Sequence, residues 1–130
     1  MDTNHVQNEV LYVEDDNINL TLMRHVFLKK LPHLTLIEAT TAEEGLQIAK
    51  ERNLCLILLD ICLPDQNGFM TLKDIQILLH PQLPPIWAVT ACVFEADIQK
   101  GLRAGFEQYI TKPFDTKELV RLIQDTLVEL

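Results

Sequence analysis

Short apolar runs alternate along the chain with stretches in which apolar positions recur every three or four residues. Val10 to Val13 (VLYV) is a strand-like run that stops at Glu14-Asp15-Asp16. From Ile18 to about Leu31, residues Ile18, Leu22 and Val26, with Met23 and Phe27 beside them, recur at helical spacing. Asp16 or Asn17 is placed to cap this helix, and Pro32 follows its end. Leu34 to Ala39 (LTLIEA) is a second expected strand. Thr41-Ala42-Glu43-Glu44 then has the capping-box pattern, in which hydroxyl and carboxylate reciprocally satisfy free amides, and it opens a helix through about Arg52. Leu54 to Leu59 (LCLILL) is apolar throughout, the pattern of a strand buried on both faces, yet it ends on a carboxylate, Asp60.

The second half repeats the rhythm. A helix is expected from near Gly68 to Leu79, and Pro81, Pro84 and Pro85 mark a loop. Ile86 to Thr90 (IWAVT) is the fourth strand, with Trp87 expected in the core. A helix from about Phe94 to Ala104 ends at Gly105, well placed as its C-cap. Phe106 to Thr111 is the fifth strand, interrupted by Lys112-Pro113. Asp115 to Glu118 can cap the last helix, whose Leu119, Leu122, Ile123 and Leu127 form one apolar stripe. Five strand–helix repeats with two-faced apolar strands predict an α/β fold: a doubly wound parallel sheet with helices on both faces. The 130 residues suit a single domain, with a core expected over about 9–128 and no effector domain.

Charge narrows the function. The chain carries 11 Lys and Arg against 19 Asp and Glu, a net charge of −8 that disfavours binding to nucleic acid and suits a divalent cation or a basic partner surface. No apolar run approaches the roughly 18 residues that a membrane span needs. The N-terminus MDTNHVQNE is too polar for a signal peptide, so a cytoplasmic location without membrane insertion is expected. Cys55, Cys62 and Cys92 form no CxxC pair and read as reduced thiols rather than a disulfide or zinc site.

Ligands of open α/β sheets bind outside the carboxyl ends of the strands, where strand order reverses. Here the first strand ends in Glu14 and Asp15, the third in Asp60, the fourth in Thr90 and the fifth in Lys112. Each has an ordinary explanation taken singly. Acids before a helix cap it, an Asp after a strand forms turns, and a Lys beside Pro is usually surface. Their coincidence at four strand ends suggests a site instead. Three crowded carboxylates repel unless a cation binds. Hard oxygen donors in a site open to water suit Mg²⁺, which keeps several waters and accepts phosphate oxygens. An Asp beside a divalent ion, an ammonium and a hydroxyl is a plausible phosphoryl acceptor, attacking in line while the metal and Lys neutralise the equatorial oxygens.

With VEDD (Val13 to Asp16), LLDICLP (Leu58 to Pro64) followed by Gly68, VTA (Val89 to Ala91) and TKPF (Thr111 to Phe114), the chain resembles the receiver domain of two-component response regulators over nearly its whole length. The resemblance implies the flavodoxin-like strand order 2-1-3-4-5. It makes Asp60 the phosphoacceptor, fed by a histidine kinase or a histidine phosphotransfer protein. Glu14, Asp15, Asp60 and the backbone carbonyl of Cys62 become Mg²⁺ ligands. Lys112 pairs with the phosphoryl group, Thr90 hydrogen-bonds it, and small Ala91 leaves it room. Tyr109 matches the aromatic that turns inward when Thr90 moves, and the Lys112–Pro113 bond is a candidate for the cis form. The implied partner face comprises the fourth helix, fifth strand and fifth helix, a route to a phosphorylation-dependent dimer; Phe94 and Tyr109 on it are either exposed anchors or packing.

Glu14 stands where many relatives have Asp. Cys62 and Cys92 lie two positions after Asp60 and Thr90, where family side chains influence hydrolysis of the acyl phosphate. They are either small apolar fillers or poor positioners of water that give a long-lived phosphorylated form. His5, His25, His33 and His80 are scattered and are not expected to carry phosphate. An aspartyl-phosphate phosphatase of the haloacid dehalogenase type would need a second Asp where Cys62 stands. A flavin-binding module would need a hydroxyl- and glycine-rich loop where three acids stand. A receiver-like interaction module without phosphorylation remains the other alternative. LYVEDDN, LILLDICLPD and GLRAGFEQYITKPFD look like receivers at the C-terminus of hybrid kinases, against a free-standing regulator.

Overall fold

The computed structural model describes residues 7–92 and 94–127 and resolves the alternation into five strands and five helices. They run β1 (Glu9–Val13), α1 (Asn17–Lys30), β2 (Thr35–Ala39), α2 (Ala42–Glu51) and β3 (Leu54–Leu59). The second half adds α3 (Gly68–Leu79), β4 (Ile86–Thr90), α4 (Glu95–Ala104), β5 (Gln108–Thr111) and α5 (Thr116–Leu127). All strands are parallel in the order β2-β1-β3-β4-β5, the expected flavodoxin-like arrangement. The chain steps outward from β1 to β2 and then back across to β3, so the strand order reverses between β1 and β3. The expected core boundary at Val128, like His5, lies outside the described residues.

Apart from Glu9 at the start of β1 and Thr90 at the end of β4, the central strands are apolar at every position because both of their faces are covered. Leu11, Val13, Ile57, Leu59, Ile86 and Ala88 share one core with Ala49 of α2 and Leu72 and Ile75 of α3. The alternate positions Val10, Tyr12, Leu56, Leu58, Trp87 and Val89 share another with Leu20, Met23 and Phe27 of α1 and Leu119 and Ile123 of α5. Trp87 is fully buried as expected, although its indole Nε1–H finds no partner. Among the described residues no helix is long and apolar enough to cross a membrane.

Two sequence readings need correction. The pattern expected on α1 was Ile18, Leu22 and Val26 with Met23 and Phe27 beside them; the last three are buried, but Ile18 is 76% exposed and Leu22 41% exposed. The buried face is Leu20, Met23, Val26 and Phe27. Apolar residues lie around most of this helix, so periodicity alone does not choose a face. The fifth strand begins at Gln108 rather than Phe106, because the Phe106 amide donates to the Gly101 carbonyl at 3.1 Å and closes α4. Gly105 makes that turn at φ 122°, a backbone shape that favours glycine.

Side chains settle the helix starts. Asp16 caps α1, Asn67 caps α3, and Asp115 accepts from the Glu118 amide. At α2, Thr41 Oγ1 accepts from the Glu44 amide, but Glu44 reaches back to the amide of Thr40, not Thr41. The first two amides of α2, Ala42 and Glu43, donate at 2.9 and 3.1 Å to the carboxylate of Asp65, a residue of the loop after β3. Lys112–Pro113 is cis, and so is His80–Pro81, which nothing in the sequence singled out.

The Ala42 amide holds the Asp65 carboxyl below its ordinary value of 3.8; desolvation opposes this and the Glu43 amide adds to it. A depressed carboxyl stabilises the fold above its unfolded value and loses that contribution as pH falls through the folded value. Asp65→Ala is therefore expected to lower the urea midpoint at neutral pH. The gap to wild type should narrow as pH is taken below 3.8 in parallel denaturation series.

Candidate functional site

The sheet's hydrogen bonding runs one residue beyond the strand ends and sets the side chains of the rim. The Glu14 amide donates to the Ala39 carbonyl at 2.9 Å, Asp60 to Val13 at 3.1 Å, and Lys112 to Thr90 at 2.8 Å. Each backbone is thus held by a neighbouring strand. Glu14 and Asp60 are only 1% and 5% exposed, so neither carboxylate is hydrated enough to stand alone.

Their compensation converges on one ammonium. Lys112 Nζ donates to Glu14 Oε1 at 2.5 Å and to Asp60 Oδ2 at 2.9 Å. Glu14 also accepts from the Tyr12 hydroxyl at 3.0 Å and from the Asp16 amide at 3.1 Å. Asp60 Oδ1 accepts from the Cys62 amide at 3.1 Å. Desolvation alone would lower the Lys112 pKa, but the hydrogen bonds and charges of Glu14 and Asp60 outweigh it and raise it above 10.5. Burial, and then the charge of Glu14, also pushes the Tyr12 hydroxyl up, so it remains a neutral donor.

Asp15, exposed, completes the cluster: one carboxylate oxygen each from Glu14, Asp15 and Asp60 lie within 4.8 Å of one another. Three carboxylates face one ammonium, leaving two negative charges without a partner. A dication with oxygen ligands matches both the charge deficit and the donor type. Octahedral Mg²⁺ places its ligand atoms roughly 3–4 Å apart, so the residues fit such an ion after small rotations.

Thr90 is fully buried at the end of β4, and its Oγ1 accepts from the Cys92 amide at 3.4 Å. The Tyr109 hydroxyl donates to the Cys92 carbonyl at 2.9 Å, and burial pushes that hydroxyl up to about 12. Its ring lies over Gly101, where an added Cβ would come within 2.7 Å of it. Tyr109 is thus half-buried and tied to the loop after Thr90, whereas Phe94 at the start of α4 is 75% exposed. Gly68 lets α3 begin hard against the rim: a Cβ there would sit 2.4 Å from Ile61 Cα and 2.9 Å from the Asp60 carbonyl oxygen.

The structure therefore brings Glu14, Asp15, Asp60 and Lys112 together, with Thr90 at the adjoining strand end and Ala91 exposed beside it. His25, His33 and His80 are exposed and outside the acidic cluster. Sequence reasoning missed Tyr12, though its place two residues before Glu14 was a signal for the same face of β1. It also missed that Cys62 Sγ and Cys92 Sγ lie 3.4 Å apart. Equal offsets beyond the ends of adjacent strands were the available clue. Cys62 is exposed rather than an apolar filler, and Cys92 is half-buried.

Comparison with known proteins agrees with this architecture. The family model of the response regulator receiver domain matches residues 10–124. An uncharacterized 14.6 kDa protein in the sodA1 3' region of Leptolyngbya boryana is 33% identical over 118 residues, covering 91% of this chain and 88% of that protein. The signal transduction histidine-protein kinase BarA of Escherichia coli (strain K12) is 32% identical over 114 residues, 88% of this chain but only 12% of the kinase. Among solved structures, the receiver domain of sensor histidine kinase PA1611 from Pseudomonas aeruginosa PAO1 superposes with a TM-score of 0.83 at 26% identity, covering 95% of this chain and 99% of that one; it has a magnesium ion coordinated in its active-site cleft. Matched over most of its length by that family model, the chain belongs to the response regulator receiver domains of two-component signal transduction.

Proposed function

We propose that Asp60 is a phosphoacceptor that takes a phosphoryl group from a phosphohistidine of a histidine kinase or histidine phosphotransfer protein. The observation that carries this reading is the pair of buried carboxylates, Glu14 and Asp60, sharing Lys112 at a rim that also holds Asp15. Such a surplus of negative charge lacks a structural purpose unless a cation offsets it, and that cation can in turn take the oxygens of an incoming phosphoryl group. A carboxylate oxygen of Asp60 attacks phosphorus, the phosphorus–nitrogen bond of the donor breaks and its electron pair stays on that nitrogen, and the imidazole, already protonated on its other ring nitrogen, leaves neutral. The Cys62 amide holds Oδ1, which leaves Oδ2, the oxygen bonded to Lys112, as the attacking atom.

Glu14, Asp15, Asp60 and the Cys62 backbone carbonyl would hold Mg²⁺, which would supply charge neutralisation for the phosphoryl oxygens. Lys112 stays as the fixed cation of the site and turns from Asp60 toward the new phosphoryl oxygens. Thr90 donates its hydroxyl to that group, which releases the Cys92 amide and, through the Cys92 carbonyl, alters the hold on Tyr109. In this way a change at Asp60 reaches the face formed by α4, β5 and α5, where exposed Phe94 stands ready for a partner or a second copy of the chain. The domain acts as a cytoplasmic signalling unit over residues 1–130 whose only chemistry is on itself.

Acetyl phosphate with Mg²⁺ is expected to add one phosphoryl group, seen by intact mass, to wild type but not to Asp60→Asn or to wild type in EDTA. An adduct on Asp60→Asn, or none on wild type, removes the reading. Lys112→Met strands two buried carboxylates and should cost about 3–5 kcal/mol in urea unfolding without divalent ions. Added Mg²⁺ should restore more stability to this variant than it adds to wild type. Neither Cys62 nor Cys92 offers a side chain that orients water, so the phosphorylated form should be long-lived. Cys62→Asn and Cys92→Glu are expected to shorten its half-life in a decay series, and equal decay would refute the role of the thiols.

A further inference from the structure

Cys62 and Cys92 are thirty positions apart in sequence, yet their sulfurs touch at 3.4 Å across the mouth of the site. The contact joins the two loops that carry the groups already described. The Cys62 backbone follows Asp60, donates to its Oδ1, and is fixed from the other side by an isolated bridge to Asn67 at the start of α3. The Cys92 backbone donates to Thr90 and accepts from Tyr109. A covalent bond of about 2.05 Å needs the sulfurs to approach by roughly 1.3 Å, within reach of side-chain rotation. Cys62 is exposed and the more open of the two to a solute, and Cys92 is half-buried. Cys55 is a separate thiol on β3, bonded to the Glu9 carbonyl. Two thiols make half of the four-ligand set that structural zinc takes, and the only cluster of metal-ligating side chains among the described residues is the acidic one.

We propose that Cys62 and Cys92 are a dithiol modification site, closed by a two-electron oxidant into an intramolecular disulfide that slows phosphoryl uptake at Asp60. With hydrogen peroxide, the Cys62 sulfur attacks one oxygen, the O–O bond breaks, and a sulfenic acid and water result. Cys92 then attacks the sulfenic sulfur, the S–O bond breaks, and a second water leaves. Two thiols and one peroxide give one disulfide and two waters. Thiol reductants reverse the bond, as suits a transient disulfide in a reducing compartment. The bond ties the loop after Asp60 to the loop after Thr90, so Thr90 no longer moves independently of the acidic cluster. This consequence rests on the phosphoacceptor reading; formation of the bond does not.

The test treats the 130-residue chain with hydrogen peroxide, blocks remaining thiols by alkylation, and maps peptides before and after dithiothreitol. The expected product is a monomer with Cys62 joined to Cys92, Cys55 alkylated, and the link lost on reduction. Phosphoryl uptake from acetyl phosphate with Mg²⁺ should be about fivefold slower or more in the oxidised protein and recover on reduction. In Cys92→Ser the link should be absent and the uptake rate indifferent to peroxide. Dimers joined through Cys62, over-oxidation without the link, or linked protein that takes up the phosphoryl group as fast as the dithiol form would each overturn the proposal. If reduced wild type takes no phosphoryl group, the phosphoacceptor reading fails and takes the slowing with it, while the peptide map still decides whether the dithiol closes.

Discussion

Lys112 is shared by two carboxylates that the fold has taken out of water, and much of the rim is arranged around that sharing. An isolated buried carboxylate costs several kcal/mol, and two side by side cost more through their repulsion. Tyr12, the Asp16 amide and the Cys62 amide spread the remaining lone pairs over neutral donors. None of these can move far without exposing an unpaired charge. The pair is therefore poorly suited to adding stability, since hydrophobic residues of the same volume would do as well or better. Its persistence at the carboxyl edge of the sheet is better explained by chemistry than by folding.

The sheet makes this possible by being apolar on both faces. Alternate residues of β1, β3 and β4 enter opposite cores, so these three strands are held from above and below. Hydrogen bonds from Glu14, Asp60 and Lys112 to neighbouring strands then carry that rigidity one residue past each strand, into the site. The edge strands β2 and β5 are half-buried, and α4 buries little beyond Gly101. Burial is deepest along β1, β3 and β4, whose ends carry Glu14 and Asp60, and falls toward α4. The proposed route through Tyr109 leads toward the less buried side of the domain, where a change in packing costs least.

Legibility in the sequence followed the kind of interaction. Two-faced strands, most capping residues and Gly105 were readable because local sequence decides them, and the gathering of Glu14, Asp15, Asp60 and Lys112 was readable because α/β topology puts strand ends together. The face of α1 was legible only in part, because apolar residues surround the helix: Met23, Val26 and Phe27 were named, but the sheet selects Leu20 over Ile18 and Leu22. The start of β5 was missed because the Phe106 amide is engaged by α4, a bond invisible to strand propensity. Asp65 looked like a turn residue beside Pro64, yet it serves the first amides of α2 more than twenty positions earlier in the chain. Long-range contacts between loops, including the meeting of Cys62 and Cys92, leave no periodic trace.

These hidden contacts share one segment. The loop from Ile61 to Asn67 holds Cys62 against Cys92, sends Asp65 to α2, and starts α3 with Asn67 as its cap. Gly68 then presses against Ile61 and Asp60, so the segment has little slack at the end nearest the acids. An added charge on Asp60 or a bond between the sulfurs therefore acts on a loop already tethered to α2, α3 and the loop after β4. Tethers of this number make a local change collective, because relief at one contact is opposed by the others until several yield together. For a domain whose proposed task is to turn one modified side chain into an altered surface, such a loop is a more effective transmitter than a mobile one.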